Sequence, residues 1–199
     1  TAQNISEFWR KWHITFSNWL RDYLYFSLPG ARSKWMPYLN LVITMVLGGL
    51  WHGANWTFVV WGLLHGVGQA IFRGFRALRG ATFEPSETLF ARTFRVLLTF
   101  HFVTLTWIFF RAADVKTAGD ILSELGVGSW TFANVTPNFA GVLALAAIGH
   151  FLPKRWYERT LEFFADWPFF VQAGAMAALV LAIQYAGGSG SAPFIYTKF

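Results

Sequence analysis

The chain has 199 residues, 55% of them hydrophobic, 20% aromatic and only 13% charged, a balance too apolar for an ordinary soluble domain and typical of a membrane protein. Its formal charge of +6 comes from short clusters of cations rather than a stripe, which fits the positive-inside bias of membrane loops and excludes a nucleic-acid surface. The absence of cysteine removes disulfides, thiolate nucleophiles and cysteine metal sites.

Residues 5 to 24 place Ile5, Phe8, Trp9, Trp12, Phe16, Trp19, Leu20 and Tyr23 at spacings of three and four, with Glu7, Arg10, Lys11, Asn18 and Arg21 opposite. This predicts an amphipathic helix, extending to about residue 27, that lies in the headgroup layer. Asn4 is its expected N-cap, with Glu7 reaching back as in a capping box. The chain opens at Thr1 directly on this charged segment, without a leader-like apolar run, so a further segment upstream is expected.

From 38 to 72 nearly every residue is apolar or small, which is close to two short spans of about 17 to 25 residues each. The "HGAN" at its middle marks either the turn of a helical hairpin or the meeting point of two broken helices. Further spans fit 93–110, 139–152 and 169–185, whereas 112–135 and 153–168 read as loops. The expected class is all-α: one polytopic membrane domain over 1–199, with about five transmembrane or re-entrant helices and the interfacial helix before them. Most lysines and arginines fall in 1–37, 73–92 and 153–168, so these segments are expected on the cytoplasmic side and "WHGAN" toward the outer face.

The histidines differ in their surroundings. His52 follows Gly48 and Gly49, precedes Gly53, and stands between Trp51 and Trp56. Glycines permit close approach of backbone or ligand, and the two indoles are expected to wall a dry pocket for a neutral, reactive imidazole. Asn55 offers an amide to orient the ring or polarise a carbonyl. His13 sits at the edge of the aromatic stripe, facing either water or protein. His65 repeats the His-Gly pairing, yet thirteen residues of continuous helix would hold it about 20 Å from His52. His101 and His150 lack polar neighbours and read as structural. No histidine pair at i, i+4 and no adjacent acid argues for a metal. Arg73, Arg76 and Arg79 recur every three residues, as topology anchors or as contacts for a phosphorylated ligand.

The blocks "FWRKWHITFSNWLRDYLYFSLPG" and "LGGLWHGANWTFVVWGLLHG", with the ending "APFIYTKF", resemble the membrane-bound O-acyltransferase family, in its bacterial branch that acetylates alginate and related exopolysaccharides. The resemblance covers about residues 5 to 72 and the last few, and makes this chain similar to the C-terminal half of the family's chains. It implies an O-acyltransferase of the bacterial inner membrane, with 38–72 as its catalytic hairpin. His52 is then the catalytic residue and His13 the second histidine of the site. Asn55, Trp51 and Trp56 would contact substrate, and Arg10 and Lys11 the phosphates of the donor. That donor would be acetyl-CoA or another acyl thioester arriving from the cytoplasm, with no bound cofactor or metal. Periplasmic polysaccharide-acetylation proteins and the bilayer are the expected partners, and nucleic acid is not. The alternative is a non-catalytic transport or export subunit for cell-surface polysaccharide.

Overall fold

The computed structural model describes residues 1–30, 33–80, 85–128 and 135–187, and every regular element among them is helical. Thr1–Gly128 and Ser129–Phe199 form two units.

In the first unit, Asn4 caps α1 (Ile5–Lys11) by accepting from the Glu7 amide at 2.8 Å, while the Glu7 carboxylate accepts from the Gln3 amide at 2.7 Å. These bonds satisfy N–H groups that a helix start leaves orphaned. The single helix expected over 5–24 is broken: His13 adopts φ 45°, ψ 52°, and α2 (Ile14–Trp19) starts anew behind it. A wider π turn (Leu20–Leu24) and a 3₁₀ turn (Tyr25–Ser27) follow. Left-handed backbone is costly for a residue with a Cβ, and the apolar spacing carries no sign of it because the periodicity continues through the break.

α3 (Met36–Trp51) and α4 (Trp56–Arg79) are joined by the turn His52–Asn55 and run antiparallel. Glycines set their separation. A Cβ on Gly49 would strike the Phe58 carbonyl, one on Gly62 the Met45 carbonyl, and one on Gly66 would lie 2.7 Å from the Val42 Cα. With no side chain between them the two backbones touch, the mode of packing that small residues give to helices in lipid. On the other flank of α3, Gly48 receives Leu20 and Phe16. α5 (Leu89–Arg111) runs antiparallel to α4, pairing Thr106 with His65 and Phe102 with Gly68. The buried core is Ile5, Trp9, Phe16, Leu20, Met45, Trp61 and Val103, drawn from every one of these elements except the 3₁₀ turn.

Among the described residues α5 alone is both long and apolar enough to cross a bilayer; α3, α7 (Pro137–Phe151) and Phe169–Tyr185 are apolar but shorter. Phe90, Phe94, Leu97, Leu98 and Phe100 of α5 are exposed, an apolar face of the kind that lipid or another protein surface covers.

Two expected loops are helical. α6 (Val115–Val127) starts where Asp114 accepts from the Thr117 amide at 2.7 Å and is laced by Lys116–Asp120. In the second unit, α8 (Lys154–Ala165) lies between α7 and α9 (Phe169–Gly187), with a Lys154–Glu158 pair at 3.0 Å. Both carry charges on one face and apolar residues on the other, and charges interspersed with apolar residues describe an exposed amphipathic helix as well as a loop. The Gln172 side-chain N–H donates to the carbonyls of Phe164, Ala165 and Trp167, closing the corner between α8 and α9. The ending "APFIYTKF" lies outside the described residues.

The glycine contacts predict that Gly62→Ala lowers the unfolding midpoint of the full-length protein in detergent, at a cost of about 1–3 kcal/mol for overpacking. Gly119→Ala, where a Cβ meets open space, should leave it unchanged or raise it slightly, since alanine stabilises a helix interior.

Candidate active site

His52 caps α3, its backbone N–H bonded to the Gly49 carbonyl at 2.9 Å, and its residue is 4% exposed. Aromatic rings enclose it. Ring centroids lie at 4.9 Å for Phe110, 5.1 Å for Trp51, 5.5 Å for Trp61, 5.6 Å for Phe16 and 6.1 Å for Phe58. Four of these five walls come from elements other than its own helix. Of the two tryptophans expected to form the pocket, Trp51 touches the ring while remaining 59% exposed, and Trp56 is 75% exposed. Periodicity explains the missed walls: Phe58 and Trp61 lie on the inward face of α4, and Phe110 arrives from a helix almost sixty residues away.

His13 sits at the helix break, exposed, with its ring 4.9 Å from Phe16. Phe16 thus contacts both His13 and His52. A left-handed residue other than glycine at a candidate site is the kind of local strain that clusters where function requires a fixed geometry.

Asn55 uses its amide structurally. Its Oδ1 accepts from the Thr57 amide at 3.1 Å, capping α4, and its Nδ2 donates to the Ala113 carbonyl at 2.9 Å. The turn bearing His52 is thereby tied to the end of α5. Arg10 and Lys11, adjacent in sequence, diverge: Lys11 pairs with Glu7 and the Thr1 carbonyl, whereas Arg10 lines a cleft.

That cleft has a volume of about 660 Å³ between α1, α2, α3 and α4. Its lining includes Arg10, Arg21 and Arg73 and no carboxylate among the described residues. Arg21 is held by Asp22 at 2.7 Å, and Arg73 donates to the Tyr25 hydroxyl at 3.1 Å. The Thr44 hydroxyl, buried in the wall, has no hydrogen-bond partner among the described residues. A buried polar atom left unpaired is costly and invites a ligand atom. One turn along α3, Gly48 seats Leu20, also a cleft residue, beside the Phe16 that covers His52.

His65 does not stand apart from His52. The 20 Å separation assumed one continuous helix; because the chain turns at His52–Asn55, both rings flank Trp61, at 5.5 Å for His52 and 4.9 Å for His65. His101 bonds its Nδ1 to the Leu97 carbonyl at 2.7 Å, and His150 is exposed. No three histidine or acidic side chains among the described residues gather as a metal site.

The family model described as MBOAT, membrane-bound O-acyltransferase family, matches residues 1–115, the stretch that holds His13, His52 and the cleft. The chain belongs to this family of membrane proteins. It is 44% identical over 137 residues to a probable alginate O-acetylase of Azotobacter vinelandii, covering 67% of this chain and 26% of that one. It is 38% identical to the probable alginate O-acetylase of Pseudomonas syringae pv. tomato over 89% of this chain and 36% of that one. A peptidoglycan O-acetyltransferase of Helicobacter pylori is 44% identical over 62% of this chain and 23% of its own. The chain thus spans about a quarter to a third of the length of these relatives. His13 stands at α2's entry and His52 at α3's exit, two ends that only the folded bundle brings together.

Asn55→Ala is predicted to lower stability by about 1 kcal/mol through loss of the cap, and somewhat more because the Ala113 tie goes with it. Asn55→Asp should keep the cap and lose only the tie. Thermal unfolding of the two variants in detergent separates these contributions.

Proposed function

We propose that this chain carries the catalytic core of a membrane O-acyltransferase, an O-acetyltransferase that modifies a bacterial cell-surface polysaccharide or a protein relaying the acetyl group to it. The observation that carries the reading is His52, buried in an aromatic cage at the turn of the hairpin, with His13 across Phe16. Family membership and the acetylating relatives support it.

His52 takes the proton of the acceptor hydroxyl as its oxygen attacks the thioester carbonyl. The tetrahedral intermediate collapses, the C–S bond breaks, and the imidazolium returns its proton to the leaving thiolate. His13 assists by hydrogen bonding or proton transfer. Trp51, in ring contact with His52 yet more than half exposed, makes the acceptor's way in, with Trp56 beyond it at the mouth. Asn55 holds the turn so that N–H groups near Gly53 face the developing oxyanion. The rings of the cage exclude water, which would otherwise hydrolyse the thioester.

The donor enters from the opposite side. Arg10 and Arg73, with Arg21 nearby, suit the phosphates of acetyl-CoA, and the Thr44 hydroxyl suits an amide of its pantetheine arm. Cations gather at the Arg73 end of α4, whereas Asn55 and Ala113 lie at the other. This polarity supports a cytoplasmic donor side and a periplasmic acceptor side in the inner membrane. The short apolar helices complete a multi-pass arrangement of about five spans and re-entrant segments, 38–72 being the catalytic hairpin. Periplasmic polysaccharide-acetylation proteins are the partners on the acceptor side.

The full-length protein in vesicles, given labelled acetyl-CoA and candidate periplasmic acceptors, should transfer label to polymer or relay protein, and His52→Ala should lower the rate ~100-fold or more. Export without any His52-dependent transfer would instead identify a conduit. Arg10→Gln and Arg73→Gln should each raise the donor KM while leaving kcat near its native value, the pattern of lost ground-state binding.

A further inference from the structure

His65 is 0% exposed, and both of its ring nitrogens are engaged. The Trp9 indole N–H donates to Nδ1 at 3.2 Å. An indole is only a donor, so Nδ1 carries no proton and the neutral ring holds its hydrogen on Nε2. Nε2 lies 2.9 Å from the Thr106 hydroxyl, which in turn donates to the Val103 carbonyl at 2.7 Å. The order of donors is thereby fixed along the whole chain: indole to imidazole, imidazole to hydroxyl, hydroxyl to backbone. Protonating Nδ1 would set two N–H groups against each other.

This network joins three elements. Trp9 belongs to α1, four residues before the His13 break; His65 belongs to α4; Thr106 belongs to α5. The imidazole also packs on Phe8 at 6.1 Å, on Phe102 at 5.6 Å, and on Trp61 at 4.9 Å, the indole whose other side meets His52. We propose that His65 is a positioning residue: fixed as the Nε2–H tautomer, it clamps α1 onto α4 and α5, which sets where His13 leaves the helix and braces the Trp61 wall of the His52 cage. It touches neither substrate and moves no proton. The proposal rests on the acyltransferase reading for its kinetic consequence, but not for the clamp itself.

The chemistry of the clamp dictates the test. A glutamine amide offers one acceptor and one donor at a spacing close to that of the two ring nitrogens, whereas leucine offers neither. In full-length protein, His65→Gln should retain most of the native transfer rate, and His65→Leu should lose about ten- to a hundredfold in kcat, as expected for misplaced catalytic groups, with the donor KM little changed. Trp9→Phe removes the indole N–H together with the fused second ring while keeping an aromatic side chain, so it serves where the leucine variant does not fold; it should lower kcat, and that loss should vanish when His13 is already alanine. ¹⁵N-histidine spectra of the native protein provide a readout independent of activity: one imidazole should show protonated Nε2 and an accepting Nδ1, a signal that Trp9→Phe perturbs.

Native protein that shows this signal but transfers no acyl group would count against the acyltransferase reading and still support the clamp. A glutamine variant as poor as the leucine one would overturn the proposal and make His65 a proton carrier. A leucine variant with native kcat would overturn it too, as would an equal Trp9→Phe loss in the His13→Ala background or a signal with Nδ1 protonated.

Discussion

Direct backbone contact between α3 and α4 is the constraint on which the rest depends. Gly49, Gly62 and Gly66 leave no room for a Cβ between the two helices. At that separation the turn His52–Asn55 is short and tightly held, and His52 falls against Trp61 in the second turn of the returning helix. In a bilayer, where lipid tails compete equally for apolar side chains, such close packing and the few polar contacts at the interface do the work that the hydrophobic effect does in water.

The two buried histidines illustrate how similar local sequence yields different surroundings. His52 and His65 are each followed by glycine and each pressed against Trp61. His65 has both nitrogens committed to named partners. His52 stands at a helix end, with five aromatic rings around it among the described residues. The network around one supports the geometry of the other. Arg95 adds a second tie for the N-terminal segment, donating to the Gln3 side chain at 2.9 and 2.6 Å, so α1 is held at its start as well as at Trp9.

Much of this was legible along the chain. Composition indicated a membrane protein, "NISE" the α1 cap, and the two histidine blocks the family, whose model covers residues 1–115. The apolar character of α3, α4, α5, α7 and α9 could be read directly from hydropathy. Residues 115–127 and 154–165 were hidden, because hydropathy averages away the two faces of an amphipathic helix. The break at His13 was hidden for the converse reason: a change of one backbone angle pair leaves the spacing of apolar residues untouched.

By itself the sequence determined where the long apolar helices lie, which family the chain joins and which histidines deserve scrutiny, since these follow from local composition and motif. Tertiary structure alone decided that Phe58, Trp61 and Phe110 enclose His52, that Asn55 spends its amide on Thr57 and Ala113, and that His65 is wired between Trp9 and Thr106. Those partners lie up to 58 residues apart in the chain. Their meeting depends on helix separation and rotation, which are set by packing volume and by hydrogen-bond direction between elements rather than by any property of a single stretch.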